Sequence, residues 1–557
     1  MTASDDTPPR LSRRGLLRGA SASAAATLAL PAWMGPAALG WDPAFAQVAG
    51  GVLRVGMTAS AVPLSNGCPD QGGEGQRFMG ITLYDQLVMW DLSRSDAPAV
   101  LKPGLATAWK TEEGNPKRWS FTLRPGVKFH DGHVLTAEDV IFSFDRGFKR
   151  DAAWFDPRAG AQIAPRFPTL VAWGSEGPGQ FWLETSIPDS TIPYALTWLG
   201  IVHKGAWEAA GSNWDNYLLK AVGTGPWKLT SFSLRERAEL ARFDEYWDAP
   251  RVPKCARLTL LPLPEANTRV AALRSGQVDF IEAPPPDAID SLKAAKFTIV
   301  TNAYPHNWTW HLSMVEGSPW RDVRVRKAAN LALNRAELKE LLGGLMLEGN
   351  GLVPPGNPWA GKPSFRLSYD LAAARKLMTE AGFSAANPVR TKIAISSSGS
   401  GQMQPLPMNE YIQQALKEAY IEISFEVFDW NTLITVWQGG AKGPNARGCT
   451  GINFSYAAFD PYSAFIRLLK SDLHAPKGVN WGWFSDPAFD ALFAEVYATF
   501  DPAQQNALLA RVHERIVDEA LFLFAAHDMN PRALSPKVQG FVQAQSWFQD
   551  LTPVRMG

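Results

Sequence analysis

The residues best suited to chemistry stand together in one short stretch. From Thr122 to Phe144 the chain reads TLRPGVKFHDGHVLTAEDVIFSF, with one lysine, two histidines and three acidic residues. Imidazole and carboxylate groups bind transition metals and transfer protons, so His130, Asp131 and His133 are the first candidates for a metal or acid–base site. No further ligand follows at a spacing typical of such sites, and a structural role is therefore the better interpretation.

Local patterns indicate the elements that position these residues. Apolar and polar residues alternate from Trp119 to Leu123, which is typical of a half-buried strand, and Pro125-Gly126 is a turn pair. The alternation resumes over Val127–Phe129 and stops at a second turn, Asp131-Gly132. Thr136 is suited to cap a helix, with acids in its first turn and apolar residues at helical spacing. The stretch predicts strand, turn, strand, turn and helix, with the histidines at the turns.

Composition indicates a soluble globular chain with more than one compact unit. The chain has 557 residues, of which 46% are hydrophobic and 19% charged. Its 54 basic residues balance 54 acidic ones, so the net charge favours neither nucleic acid nor anionic lipid as a partner. It also has 22 Trp against 11 Tyr, and large flat rings either pack in cores or stack on ligands.

The first residues predict export. A paired arginine at Arg13-Arg14 precedes a weakly apolar stretch from Ala20 to Leu30, and Ala44-Phe45-Ala46 is a small-residue cleavage pattern. We expect transport by the twin-arginine translocase, cleavage before Gln47 and a periplasmic location. The apolar stretch is too short to cross about 30 Å of hydrocarbon.

Cysteine usage predicts no disulfide framework. Cys68, Cys255 and Cys449 form no CxxC pair, and an odd number leaves at least one thiol unpaired. One bridge is compatible with the periplasm, and the sequence leaves this open.

A second region predicts a parallel β-α-β unit. Two apolar strand patterns, 391–396 and 421–427, flank a helical pattern and are joined by short connections. Ligands bind beyond the carboxyl ends of such strands, which here are the loop Ser397–Gly401 and Asp429–Asn431, with Asn453–Tyr456 after another candidate strand. The alternatives are a plain connector for the loop and core packing for Trp430. Two further helices are predicted after the capping residues Asp322 and Asp370.

Catalytic motifs are missing. The sequence contains no G-x-S-x-G, no G-x-x-x-x-G-K-[ST] and no G-x-G-x-x-G, and His513-Glu514 lacks the second histidine of a zincin. A binding protein that encloses a small solute is therefore favoured, without catalytic residues, metal or cofactor. The rival hypothesis is an exported hydrolase whose catalytic residues are assembled only by folding.

Whole segments of the chain resemble one family. Trp119 to Phe144 is similar to the signature of family 5 (cluster C) extracytoplasmic solute-binding proteins, which serve ABC importers of peptides, opines, nickel and oligosaccharides. Further segments follow in that family's order: LYDQLVMWD from Leu83, PGLATAW from Pro103, VGTGPWKLTSF from Val222, RFDEYWDAP from Arg242, RVAALRSGQVDF from Arg269, WRDVRVRKAANLALNR from Trp320 and YDLAAARKLMTEAGF from Tyr369.

The resemblance implies an α/β fold of two lobes, the type II periplasmic-binding-protein fold, with an extra domain in the first lobe. The expected division follows the chain: a twin-arginine signal peptide over 1–46, the base of lobe I over 47–88 and 222–303, the extra domain over 89–221, lobe II over 304–520 and a return to lobe I over 521–557. The lobes would close on ligand by a hinge movement. We expect a monomer that delivers its solute to a permease and ATPase subunits.

The resemblance also suggests binding residues. Peptide receptors of the family hold the amino terminus with an Asp whose position here is Ala457, which argues against ordinary peptide binding unless Asp460 substitutes. The predicted ligand-binding residues are Glu74, Trp308, Trp310, Trp430, Asn453, Phe454 and Tyr456. An oligopeptide-like ligand and an opine or oligosaccharide rank close together, and nickel ranks lower because the chain has only 8 His.

Overall fold

The computed structural model describes residues 50–399, 401 and 403–557. The predicted signal peptide and the cleavage site at Gln47 lie outside this part of the chain. Within it, no helix is both long and apolar enough to cross a membrane.

The first sheet, called the lobe I sheet, is mixed. Its central strand, Val52–Met57, runs parallel to both neighbours, Arg257–Pro262 and Phe280–Glu282. Buried apolar clusters cover it, and the strand is apolar enough to be buried on both faces. Over the described residues it has seven strands, in spatial order Thr298–Val300, Arg532–Leu534, Phe280–Glu282, Val52–Met57, Arg257–Pro262, Arg237–Arg242 and Trp227–Ser233.

The second sheet, called the lobe II sheet, contains the predicted β-α-β unit. Val389–Ser396 pairs in parallel with Ile421–Phe428, and the helix Pro405–Lys417 connects them, so this prediction is confirmed. The six described strands of this sheet, in spatial order, are Met346–Glu348, Phe522–Asp528, His306–Leu312, Gly451–Ala457, Val389–Ser396 and Ile421–Phe428.

Two short segments cross between the sheets side by side. The first covers 301–305, and the second covers 529–531; the Asn302 N–H donates to the Met529 carbonyl at 3.0 Å. The sequence-based boundary at 520 would put the strand Phe522–Asp528 in lobe I, whereas it pairs with His306–Leu312 in the lobe II sheet. The chain joins the lobe I sheet only with Arg532–Leu534.

The extra domain has its own sheet and core. The predicted helix is confirmed: it spans Ala137–Phe148, and the Thr136 N–H donates to the Asp139 carboxylate at 2.8 Å. The predicted strand at Val127–Phe129 is wrong, since two turns leave room for only one bridge, between Lys128 and Val134. The four strands described in this sheet are Ala106–Glu112, Asn115–Leu123, Gln180–Thr185 and Leu170–Ser175.

The remaining elements cover these sheets. Both predicted helix caps are confirmed, because the carboxylates of Asp322 and Asp370 accept backbone N–H groups in the following helices. The α-helices of the described chain are Ile81–Leu83, Ala137–Phe148, Pro157–Ile163, Ile192–Leu196, Lys204–Ala209, Trp214–Tyr217, Ala266–Arg274, Ile289–Ala294, Val323–Ala332, Arg335–Leu341, Leu371–Glu380, Pro405–Lys417, Trp430–Gly439, Arg467–Leu469, Pro487–Ala498 and Pro502–Asp518. Two small antiparallel pairs complete the strands, Val88–Trp90 with Leu101–Pro103 and Val538–Gln539 with Arg555–Met556.

All three cysteines are free and buried. Burial raises the pKa of Cys68 to about 12, and those of Cys255 and Cys449 to about 11. These thiols are packing groups in the core.

Candidate ligand-binding cleft

A cavity of about 390 Å³ lies between the two sheets, beside the crossing segments. Its walls come from both lobes and from the returning chain. The lobe I wall includes Thr58, Arg77, Arg269, Glu282 and Pro286; the lobe II wall includes Leu342, Leu345, Ser397, Met403, Leu406 and Asp528; the returning chain adds Asn530, Arg532 and Trp547.

The lobe I wall is built at the ends of parallel strands. Thr58 follows the central strand Val52–Met57, and Glu282 is the last residue of its neighbour. Arg532 begins the antiparallel strand next to it and lies opposite Glu282 in the register. The cavity therefore opens beyond the carboxyl ends of the parallel strands, where α/β sheets bind ligands.

Glu282 is the centre of a buried ion-pair cluster. Its carboxylate accepts the Thr58 N–H at 3.1 Å, contacts the Arg77 guanidinium and lies 3.3 Å from Arg532 Nη2. Arg77 also pairs with Glu74 at 3.1 Å. The side chains of both arginines are 2% exposed. Burial lowers the pKa of Arg77 to about 10 and also lowers the pKa of Arg532, although both guanidinium groups stay charged at neutral pH.

Aromatic rings stack beside this cluster. The Arg77 guanidinium lies 4.2 Å from the centre of the Trp547 ring, and the His306 ring stacks on the same indole at 4.9 Å and 15°. Burial lowers the pKa of His306 to about 3, so this imidazole is neutral at physiological pH. Trp547, which lines the cavity, is therefore in contact with a charged guanidinium group and with a neutral imidazole.

Asp528 connects the cluster to the crossing segments. Its carboxylate accepts the Tyr304 hydroxyl at 2.9 Å and the Asn530 N–H at 2.8 Å. Desolvation by burial raises its pKa. The group is held in place by both crossings, which are the segments around which the lobes would turn.

Arg269 has a positioning role. Its guanidinium donates to the carbonyl oxygens of Glu282, Leu263 and Pro264 at 2.9, 2.7 and 2.6 Å. These bonds tie the helix Ala266–Arg274 to the end of the strand that carries Glu282.

The Ser/Gly loop predicted as either a connector or a ligand loop lines the cavity. Ser397, Ser398, Gly399 and Gly401 all contribute to its wall. A Cβ on Gly399 would lie 2.6 Å from the Trp430 ring, and one on Gly401 would lie 2.7 Å from His306. Glycine is required here because the loop backbone passes directly over these two rings.

The predicted aromatic residues form a stack next to the cavity. Trp430 lies 5.1 Å from Phe454, which is parallel to Trp437 at 4.4 Å and 6°. The Trp430 indole N–H donates to the Gln71 carbonyl at 3.4 Å, a contact from lobe II to lobe I. Asp429 caps the helix that Trp430 begins.

The other predicted binding residues are packed inside. Trp308, Trp310, Asn453 and Tyr456 are buried in the lobe II sheet, and the Trp310 indole donates to Asn409 at 2.8 Å. None of the seven predicted residues lines the cavity, although Glu74 reaches it through Arg77. Their role in binding stays a prediction.

Sequence reasoning missed the cavity's charged residues. Arg77, Asp528, Arg532 and Trp547 come from segments far apart in the sequence, and none belongs to a local motif. Glu282 had no local signal either, because the strand that it ends is paired in parallel with the distant strand Val52–Met57.

Ala457 and Asp460 lie away from the cavity lining. Ala457 ends the strand Gly451–Ala457 and pairs with His306. Asp460 is buried and accepts the Ser463 N–H at 2.8 Å, so it stabilises the following helical turn.

A second cluster of possible metal ligands lies in the extra domain. Atoms of His133, Asp139 and His203 lie within 4.8 Å of one another. His133 contacts the Asp139 carboxylate at 3.1 Å, and His203 contacts Asp131 at 2.8 Å. Asp139 also forms the capping box of the helix Ala137–Phe148, so hydrogen bonding within the fold accounts for this group.

Comparison with known proteins agrees with this geometry. Residues 100–471 match the model of the bacterial extracellular solute-binding proteins, family 5 Middle. The chain belongs to this family. It is 25% identical over 484 residues to the dipeptide-binding protein of Escherichia coli (strain K12), covering 83% of this chain and 86% of that protein.

Solved structures show the same two-lobed fold. DppA from Helicobacter pylori, in complex with peptide STSA, has a TM-score of 0.78 at 21% identity, covering 91% of this chain and 98% of its own. The dipeptide-binding protein of Pseudoalteromonas sp. SM9913, in complex with Met-Leu, has a TM-score of 0.77 at 21% identity, covering 91% of this chain and 100% of its own. The family 5 solute-binding protein described here has the α/β fold expected from the sequence.

Proposed function

We propose that the protein is the periplasmic receptor of an ABC importer that encloses a small organic solute in the cleft cavity. The observation that carries the proposal is the cavity itself, whose walls come from both lobes and lie at the ends of parallel strands. A ligand that contacts both walls favours the closed arrangement, since only differential contacts shift a two-state equilibrium.

The solute is proposed to be oligopeptide-like. The relatives reported above include a dipeptide-binding protein and receptors in complex with STSA and Met-Leu. Ala457 departs from the expected amino-terminal contact, and the cavity instead presents arginines. An opine or oligosaccharide is the alternative within the same family.

The remaining assignments complete the proposal. We infer export by the twin-arginine pathway, delivery to a permease with ATPase subunits and a monomeric state. The proposed division is 47–88 and 222–303 for the base of lobe I, 89–221 for the extra domain, 304–528 for lobe II and 529–557 for the return. The pairing of Phe522–Asp528 in the lobe II sheet supports a last crossing at 529 in place of the boundary at 520.

The experiment is to purify the mature protein from the periplasm of its own host, denature it and identify the released molecule by mass spectrometry. The same molecule is then added back to refolded protein for several hours. We expect equimolar binding and recovery of the molecule at unchanged mass. Conversion to products of lower mass would support the exported hydrolase instead. The variant Arg390→Gln, a change at an exposed ion pair, is purified and tested in the same way as a control for purity and handling.

A further inference from the structure

The two walls of the cavity differ in charge. Apart from Asp528 at the crossing, the described lining residues of the lobe II wall are apolar or neutral and include Leu342, Leu345, Ser397, Met403, Gln404 and Leu406. The lobe I wall and the returning chain carry Arg77, Arg269 and Arg532 together with the acids Glu265 and Glu282, and the returning chain adds Trp547. A ligand that spans the cavity therefore meets charged groups on one side and a mainly apolar surface on the other.

The arginines keep hydrogen-bond donors that the protein does not use. Arg532 Nη1 donates to the carbonyl oxygens of Asn530 and Pro531; Nη2 lies 3.3 Å from the Glu282 carboxylate without hydrogen-bond geometry, and Nε has no acceptor among the described residues. Arg77 Nε is in the same condition. Buried donors without acceptors are costly, and where they persist a water, an ion or a ligand can supply the acceptor.

The carboxylates of the cluster are bound mainly by groups other than Arg532. Arg77, Arg269 and Arg532 are buried, and the buried carboxylates beside them are Glu74, Glu282 and Asp528. Tyr304 and a backbone N–H bind Asp528, and burial raises its pKa toward the neutral form; the rim residue Glu265 is exposed to water. Among the described residues, the Arg532 guanidinium pairs with a carboxylate only at Glu282, 3.3 Å away, so its remaining donors are available to an external anion.

We propose that the cavity binds an organic anion with an apolar body, and that Arg532, with Arg77, receives its carboxylate. The apolar body lies against Leu342, Leu345, Met403 and Leu406. An ammonium group is not required, because Asp528, the carboxylate on the lobe II side of the described lining, already accepts the Tyr304 hydroxyl and the Asn530 N–H. This inference rests on the receptor proposal and names its substrate class.

The test uses four forms of one dipeptide with different charges: Leu-Leu, N-acetyl-Leu-Leu, and the carboxyl-terminal amide of each. Protein is stripped by unfolding and refolding, and affinity is measured by tryptophan fluorescence and calorimetry. We expect both acids to bind at least about tenfold more tightly than the matching amides, since a charge-assisted hydrogen bond is worth at least one decade in affinity. Acetylation of the amino group should change the affinity by less than about threefold.

Two variants locate the effect. Arg532→Gln should bind the acid as weakly as the amide and leave the amide unchanged, whereas Arg532→Lys should keep part of the preference, because lysine retains the charge but not the planar fork. Without ligand, Arg532→Gln should melt no lower than the wild type, since Glu282 keeps Arg77 as its partner. Arg390→Gln is the matched control.

The outcomes separate this inference from the receptor proposal. Equal affinity for acid and amide, or an unchanged acid preference in Arg532→Gln, would overturn the anion site while the receptor proposal stands. If none of the four forms binds, the molecule released from native protein decides: an anion with an apolar body supports the inference, and a neutral or solely cationic molecule overturns it. A hydrolysed molecule would overturn the receptor proposal.

Discussion

At the scale of single residues, Glu282 matters most. Its carboxylate pairs with two buried arginines and so connects them to the end of a parallel strand in the lobe I sheet. A buried charge that loses its partner is far more costly than an exposed one, because water cannot solvate it. The cleft is therefore stabilised by a group whose first role is to hold the cationic wall together.

Glu282→Gln should lower the free energy of unfolding by about 3–5 kcal/mol, because it leaves Arg77 and Arg532 without their shared carboxylate. Glu422→Gln, at the exposed pair with Arg390, should cost less than about 1 kcal/mol. Urea unfolding of both variants without ligand measures the difference. A similar loss of unfolding free energy in the two variants would show that the buried ion pairs of Glu282 contribute no more to stability than an exposed pair.

Residue roles were predictable from the sequence only where they are local. Thr136, Asp322 and Asp370 cap helices through bonds to residues two or three positions away, and all three were predicted. Glu282 and Arg532 meet because two distant strands pair, and no local spacing reports that contact.

At the scale of elements, one helix forms hydrogen bonds that hold the segment 352–360 in place beside the lobe II sheet. His513, on the helix Pro502–Asp518, accepts the Leu352 N–H at 2.9 Å on Nε2, and its Nδ1 donates to the Ala360 carbonyl at 2.8 Å. Both ring nitrogens are used by the neutral form. A second proton on Nε2 would face a backbone N–H and break the contact.

The pH dependence of stability should reveal this contact. Burial lowers the pKa of His513 from its ordinary value of 6.5 to about 4, so below pH 6.5 the unfolded chain takes up a proton that the folded protein does not. Stability should therefore fall as pH drops from 6.5 toward 4, by up to about 1.4 kcal/mol per pH unit from this residue. His513→Gln should show a shallower fall in urea unfolding at pH 7.5, 6 and 5. Parallel curves for the two proteins would contradict the assignment.

Elements were predicted well where the periodicity is long and regular. The β-α-β unit at Val389–Phe428 and the helix Ala137–Phe148 were both predicted from the sequence. The segment Val127–Phe129 alternates in the same way but is closed off by turns on both sides. The strand Phe522–Asp528 was assigned to the wrong lobe because its sheet partners are far away in the chain.

At the scale of the whole molecule, the extra domain contacts lobe II through residues that do not line the cavity. Ser190 donates to the Val496 carbonyl at 2.9 Å and accepts from Gln505 at 2.7 Å, and Trp119 lies 5.7 Å from Phe500. A hinge movement that opens the cleft must break such contacts. They contribute to the closed arrangement without contacting the solute.

Ser190→Ala should weaken binding of the native solute by about 2–10-fold, because the closed form loses one or two neutral hydrogen bonds. The loss should appear as faster dissociation in stopped-flow fluorescence, with the preference for acid over amide unchanged. Ser424→Ala, an exposed serine on the lobe II sheet, is the control. An affinity equal to that of the wild type would show that these contacts persist in the open form.

The central claim is that two lobes close on a solute and release it unchanged. Small-angle X-ray scattering of stripped protein, before and after addition of the molecule identified from native material, tests it most directly. The account predicts a smaller radius of gyration on saturation and recovery of the molecule at its original mass. Saturating binding with no change in the radius of gyration would contradict it.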